Sequence, residues 1–544
     1  MKREVKSSIV LTELESKIQK VLVEYCDFYN SQDGINEDQF LELRITGGWV
    51  RDKLLGIESN DIDIAINHLT GEDFASNLHD YLKEHNPELH LKAIHTIKKN
   101  PEKSKHLETC TTKLFGIDID FVNLRSEEYT DSSRVPIIKF GSPLDDALRR
   151  DATLNSLFFN LNKNTIEDFT GKGMDDLKNG VLRTPLEPLQ TFLDDPLRVL
   201  RLIRFASRFD FLVEAETLAA MKNSELKKAL TSKISRERVD IELQKIFTSR
   251  NPSYGLQLMN YAELFPSIFD SRELLKEGIK GLEDEVDIAT QHIGKQVAVA
   301  TTIFPIFRNI VETELARDSK FSQLLTTIGQ SHDFLNTFWL SIILFPFRGL
   351  NESRGQKVPV VKQLMRFGLK SKKSDIDIVG AVTTEYVTSR DVLEKMLDDP
   401  HSVKRSELGL YLRKFPGFSS VNILFNCIID ITRPYIESGL PTLHPNPLIP
   451  DELLRKASVR SLVKETITKY ELLLNAVDAQ GLSEAHKIRP IVDGTTLSKT
   501  FDRKPGPWIK LVTDEIIVWQ LDNPSKSNEE CLAYVTEILP KYVK

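Results

Sequence analysis

An α+β fold is what the sequence predicts, and three observations predict it. Short β-type runs are confined to residues 41–160, the pattern from about residue 185 onward is almost wholly helical, and 544 residues exceed one hydrophobic core. Three or four domains are therefore expected. Taken in order, an amphipathic segment from Leu11 to Tyr29 opens the chain. LELRIT from Leu41, DIDIAI from Asp61 and GIDIDFV from Gly116 read as strands, because β-branched residues alternate with polar ones. GGWVRDKLLG, between the first two, reads as a glycine turn leading into a helix. RSEEYTDSSRVPIIKFGSPLDD, from Arg125, is polar and proline-bearing, which predicts a long mobile loop. At its end Ser142 can cap a helix, Pro143 can occupy the first helical position and Asp145 the first turn, so a helix is expected to carry DALRRDATLNSLFF. Beyond it, PLRVLRLIRFASRF and SRERVDIELQKIF have helical spacing.

Composition excludes several classes. The formal net charge is −7, so any polyanionic partner must be met by local patches rather than a global basic field. The four cysteines, Cys26, Cys110, Cys427 and Cys531, match neither a disulfide framework nor a zinc spacing and fit a reducing compartment. FWLSIILFPF, from Phe338, is too short to span a bilayer and reads as a buried helix, so no membrane partner is expected. The opening MKREVKSSIV has no apolar core and contains Glu4, which points to a cytoplasmic or nuclear protein; a mitochondrial pool would need an alternative start.

The stretch ITGGWVRDKLLGIESNDIDIAI, from Ile45, carries the chemistry. Residues two apart on a strand share a face, so Asp61 and Asp63 point together while Ile62 and Ile64 turn to the core. Two parallel carboxylates call for a cation, and Mg²⁺ commonly takes one or two carboxylates plus substrate phosphates. A solvated acidic edge is the commoner meaning of a lone DID. Gly47 and Gly48 alter that weighing, since bare backbone at a strand-to-helix turn lets a phosphate approach, and Arg51 can add a charge-assisted contact. The next strand offers a third carboxylate from Asp118 or Asp120. Alternation puts both on one face, and Asp120 is preferred only because it lies nearer the strand's end. Three such acids can hold two ions about 3.5–4 Å apart around an in-line phosphoryl displacement.

These residues resemble motif A of the class II tRNA nucleotidyltransferases, the CCA-adding enzymes of the DNA polymerase β superfamily, with a fungal-like pattern. The resemblance continues in order through residue 243. Arg149, Arg150 and Asp151 are similar to motif B, which implies that Arg150 and Asp151 face the ribose; Asp168 to Arg183 resembles the flexing turn of motif C. DDPLRVLRLIRF, from Asp194, looks like motif D, although Asp194 stands where the family usually has Glu, and ISRERVDIEL, from Ile234, looks like the helical brace of motif E. The resemblance implies a nucleotidyltransferase head (1–170) with a mixed sheet, then an all-α neck (171–255), body (256–400) and tail (401–544). It implies Mg²⁺ as cofactor, tRNA, ATP and CTP as partners, and no obligate protein partner.

In motif D, Asp195 and Arg198 are three apart on an expected helix, so both can meet one flat base. Cytosine and adenine each show an amine beside an unprotonated ring nitrogen. Aspartate only accepts and arginine only donates, so the pair suits C and A and mismatches U and G. Arg201, Arg204 and Arg208 extend the stripe as phosphate contacts or as a salt-bridged face. Basic patches near Lys98, Lys227 and Lys370 are candidate tRNA contacts. The expected activity is stepwise addition of CMP, CMP and AMP to the tRNA 3′ end; the alternatives are a poly(A) polymerase of the same class and a catalytically dead RNA-binding scaffold.

Overall fold

The computed structural model describes residues 4–89, 91–97, 109–130, 133–269, 281–351, 358–438, 444–448 and 450–543. The chain forms two compact units, Met1–Ser267 and Ile268–Lys544.

The first unit is built on a seven-stranded sheet. Its strands are β1 (Leu43–Thr46), β2 (Ile62–Ile66), β3 (Lys92–Ile97), β4 (Thr109–Leu114), β5 (Ile117–Asn123), β8 (Leu157–Asn160) and β9 (Thr165–Asp168), in the order β3-β4-β5-β2-β1-β8-β9. The β2–β5 pair is parallel and the others are antiparallel, so the sheet is mixed, as expected. Helices α1 (Glu13–Asn30), α2 (Gly48–Leu54) and α3 (Gly71–His85) accompany it. Thr12 and Glu15 form a capping box that starts α1. Trp49, Phe74, Phe121, Phe158 and Phe159 are fully buried and fill the core.

Two expectations are corrected. The segment from Arg125 is not a loop: β6 (Arg125–Thr130) and β7 (Ser133–Phe140) pair antiparallel, with Glu127 opposite Ile138. Pro136 pointed to a loop, but each strand of a two-stranded ribbon keeps one open edge, where a residue without an N–H is tolerated. Ser142 and Asp145 do form a capping box, yet helix α4 spans only Pro143–Leu148. LFFN instead becomes β8, because Phe158 and Phe159 are buried when they pair beside β1.

Helices α5 (Gly173–Asn179), α6 (Pro188–Asp194), α7 (Arg198–Phe209), α8 (Ala215–Ala220), α9 (Ser224–Lys233), α10 (Arg236–Phe247) and α11 (Pro252–Tyr261) complete the unit, with a short parallel pair, β10 (Val181–Leu182) and β11 (Leu212–Val213). The second unit is helical, with long helices at Glu283–Glu314, Ser419–Ser438 and Ala457–Ala479. The apolar run from Phe338 follows the helix His332–Leu344 into a 3-10 turn at Phe345–Phe347 and is buried except for half-buried Pro346, as its composition predicts. No helix among the described residues is long and apolar enough to cross a membrane. The four cysteines are buried and form no disulfide among the described residues.

Candidate active site

Strand β1 ends at Thr46, and Gly47 turns the chain with φ +74°, a conformation that side chains disfavour. Gly48 then opens α2. A Cβ on Gly47 would sit 3.3 Å from Nη1 of Arg150, so the bare turn also lets motif B approach motif A. Helix α2 has only 7 residues, which makes close backbone approach, rather than a long helix dipole, the turn's main offer to a phosphate. Gly47→Ala adds on the order of 1–3 kcal/mol of backbone strain and displaces Arg150. Its expected result is a roughly tenfold rise in KM for the nucleotide, measured by steady-state incorporation.

Two of the three expected acids stand side by side. Asp63 on β2 stands directly beside Asp120 on the parallel strand β5, and Asp61 lies exposed just before β2. Thr111 Oγ1 donates to Asp120 Oδ1 at 2.5 Å. Asp118 is exposed and pairs with Lys113 at 3.2 Å, so β4 supplies partners of opposite kind to the two acids of β5. Burial first, then the neighbouring Asp61 and Asp120, push the Asp63 carboxyl from its ordinary 3.8 up to about 6, against an opposing pull from Arg150. Among the described residues no three His, Cys, Asp or Glu side chains form a ready-made metal cluster. Mutually repelling oxygen donors around Asp63 nevertheless fit a hard cation that takes few protein ligands and completes its shell with water and phosphate.

Above the acids is a cavity of 750 Å³, lined by all the expected site residues except Asp120. Nine arginines line it, against seven Asp and Glu residues. Many of these groups also hold one another. Arg51 is buried, bonds Asp52 Oδ1 through Nε and Asn155 Oδ1 through Nη1, and lies against the rings of Phe205 and Phe209. Arg150 donates to Asp146 Oδ2 at 2.7 Å and to the Asn155 carbonyl at 3.2 Å. Burial opposes ionisation of Asp151, but Arg201, 2.7 Å away, and Asn155 hold its carboxyl well below the usual range. Arg204 pairs with Glu242 and Arg208 with Asp52, so the stripe is a salt-bridged wall.

Asp195 and Arg198, the pair expected to read the base, are arranged differently from expectation. Asp195 and Arg198 do not share one helix, because Pro196 follows Asp195: a proline lacks an N–H and disfavours helix at the residue before it. Helix α6 therefore ends at Asp194, and α7 restarts at Arg198. Asp195 Oδ1 accepts from the Leu197 N–H at 3.2 Å, and Oδ2 faces Arg238 at 3.5 Å. Arg198 donates to the carbonyls of Thr191 and Arg149 at 3.2 and 2.7 Å. Both side chains still line the one cavity.

Sequence reasoning missed four supporting residues. Asp146 anchors Arg149 and Arg150; burial opposes its ionisation, yet the two guanidiniums hold its carboxyl down at about 2. Its spacing from Arg150, i to i+4 in DALRR, was the available signal. Glu127 binds Arg125 and Arg149 and lies 3.9 Å from Arg198, but it belongs to the misread segment. Asn155 carries no local signature, and Arg238 lies in motif E, which was read only as a helical brace.

The chain is 41% identical over 547 residues to the mitochondrial CCA tRNA nucleotidyltransferase of Candida glabrata, covering 98% of this chain and 97% of that one. It is 40% identical to the Saccharomyces cerevisiae protein of the same name, with 98% and 95% covered. The chain belongs to the tRNA nucleotidyltransferase family. The family model described as a poly A polymerase head domain matches residues 43–183, and one described as a probable RNA and SrmB-binding site of polymerase A matches residues 210–275. A Bacillus stearothermophilus CCA-adding enzyme in complex with CTP shares the fold at TM-score 0.57 and 17% identity, covering 98% and 99% of the two chains.

In this tRNA nucleotidyltransferase, the motif C turn is tied by Asp168, whose carboxylate accepts from Thr170 Oγ1 at 2.7 Å and from the Met174 N–H at 3.0 Å. Motif E lies on α10 and reaches motif D through Arg238 to Asp195 and Glu242 to Arg204. Asp194, which replaces the family's usual Glu, accepts from Gln190 at 2.8 Å.

Proposed function

We propose that this nucleotidyltransferase adds CMP, CMP and AMP stepwise to the 3′ end of tRNA, using CTP and ATP and releasing pyrophosphate. The observation that carries the reading is the set of carboxylates on adjacent parallel strands, Asp63 beside Asp120 with Asp61 close by, beneath an arginine-lined cavity. Asp61 and Asp63, with Asp120, would hold Mg²⁺, which when bound supplies charge neutralisation at the triphosphate. Gly47 and Gly48 admit the phosphates to the backbone, with Arg51 buried behind them. Arg150 and Asp151 set the ribose. Asp195 accepts from the exocyclic amine of C or A, and Arg198 donates to the ring nitrogen. The tRNA 3′ oxygen forms the new bond to the α-phosphorus as the bond to the β-phosphate oxygen breaks. The protein supplies position and charge rather than a nucleophile.

We assign the head to residues 1–170 and the neck to 171–255, both inside the first unit, and the body and tail to 256–400 and 401–544. Of the basic patches, Lys227 pairs with Glu263 at 2.7 Å, and the one near Lys98 lies outside the described residues. Two relatives carry "mitochondrial" in their names, which favours a mitochondrial pool beside a cytoplasmic and nuclear one.

The test incubates the full chain and Mg²⁺ with a tRNA transcript lacking its last three nucleotides. Two residues are expected with CTP alone and three with CTP and ATP together. The description of the matching head model favours one second reading, a poly(A) polymerase, and a long ladder with ATP alone would establish that instead.

A further inference from the structure

The sequence VVKQLMRFGLKSKKSDID, from Val360, folds into a feature that the nucleotide chemistry does not use. Val360–Gln363 starts as α-helix, and Leu364–Leu369 continues as one π-helical turn, a rare geometry that often marks functional sites. Leu364, Met365 and Leu369 are buried and anchor it from beneath. Lys362 clamps it as well: its stem lies against Gly380 so closely that a Cβ there would meet it at 2.6 Å, and its Nζ reaches Asp377 at 2.8 Å. Lys370 closes the turn at φ +55°, a left-handed conformation that costs a residue with a Cβ about 1–2 kcal/mol.

This strained, anchored turn presents Arg366, Phe367, Lys370, Lys372 and Lys373, all exposed. The Lys370 ammonium stands 5.8 Å from the centre of the Phe367 ring. None of the four cations forms a close ion pair among the described residues: Asp377 pairs with Lys362 and attracts Arg366 and Lys373 only from farther away. Lys372 and Lys373 sit at the cap and first position of the helix Lys373–Thr388, where the helix's own positive end makes cations unfavourable. A surface that keeps such charges unpaired at a cost to itself calls for an anion from outside.

We propose that the π-turn at residues 364–373 is an RNA-docking element: Lys370, Lys372 and Lys373 engage the phosphate backbone, and Phe367 offers a face to an unpaired base. The RNA is taken to be tRNA, which rests on the transferase reading above; the patch lies outside both matched family regions.

The test measures binding of a tRNA transcript lacking its last three nucleotides to the full chain, by fluorescence anisotropy across a KCl series. Combining Lys370→Gln, Lys372→Gln and Lys373→Gln is expected to raise Kd at least about tenfold and to flatten the log–log salt slope by about 0.7–0.9 per lysine. Phe367→Leu is expected to raise Kd about fivefold with the slope unchanged, since stacking is not ionic. Kd within twofold and an unchanged slope in the triple variant would overturn the proposal. Should that variant fail to fold, lysine acetylation of the wild-type chain decides: tRNA protecting Lys370, Lys372 and Lys373 supports it, and equal labelling with and without tRNA overturns it. Both readouts are independent of catalysis. A wild-type chain that extends tRNA while these readouts fail removes only the docking element, whereas one that binds through these lysines without extending tRNA removes only the transferase reading.

Discussion

Asp63→Ala is expected to reduce nucleotide incorporation by at least about 1,000-fold, the scale on which phosphoryl transfer responds when a charge-stabilising group is lost, while tRNA affinity stays within twofold. Asp63 is the central acid of the three. It faces Asp120 across the parallel β2–β5 pair, and both Asp61 and Asp120 raise its carboxyl, burial acting first. Its value of about 6 lies above the ordinary 3.8, so ionising Asp63 opposes folding. That penalty is present at neutral pH and is relieved as pH falls through about 6. Asp63→Asn should therefore raise the melting temperature of the metal-free protein at pH 7.5 while abolishing incorporation. In the wild type, Mg²⁺ binding followed by calorimetry should weaken and incorporation should fall as pH drops through about 6, because a protonated carboxyl is a poor ligand. Full activity in Asp63→Ala, or calorimetric Mg²⁺ binding unchanged by it, would remove the metal assignment.

Which parts of this site were legible follows from the range of the forces that build it. Strand alternation is local, so DIDIAI and GIDIDFV were enough to place Asp63 and Asp120 on their strands, with Asp61 falling just before the first. Pairing of Asp63 with Asp120 rather than with Asp118 depends on register between strands more than 50 residues apart in the chain, which no local pattern states. The Gly47 turn was legible because only glycine takes its backbone angle at no cost. The β6–β7 pair was not, since its pairing is with itself and its polar, proline-bearing residues carry the composition of a loop. The inward bonding of Arg51, Asp151 and Arg198 was invisible for a similar reason. Their partners Asn155, Arg201, Thr191 and Arg149 come from turns and helices that only the fold brings together.

That inward bonding shapes the prediction for base choice. Asp195→Ala and Arg198→Ala are each expected to reduce the preference for CTP over UTP, measured as the ratio of kcat/KM values, by about 10- to 100-fold, because each removes one of two donor–acceptor matches that cost on the order of 1–3 kcal/mol when violated. Asp195→Asn separates reading from scaffolding. Its amide oxygen can still accept from the Leu197 N–H that starts α7, so the local fold survives, but its nitrogen now donates where the carboxylate accepted. UTP should therefore gain more in Asp195→Asn than in Asp195→Ala, since the uracil carbonyl meets a donor. Arg238 touches Asp195 from motif E at 3.5 Å and acts through it. Arg238→Ala should lower kcat for CTP and ATP alike and leave their preference over UTP and GTP nearly intact. Arg198 is fixed by the Arg149 carbonyl of motif B, so the proposed base-reading group is held by the segment proposed to set the ribose. An unchanged CTP preference in both Asp195 variants would mean that the template lies elsewhere in the cavity, and the arginine wall of Arg201, Arg204 and Arg208 would be the next place to look.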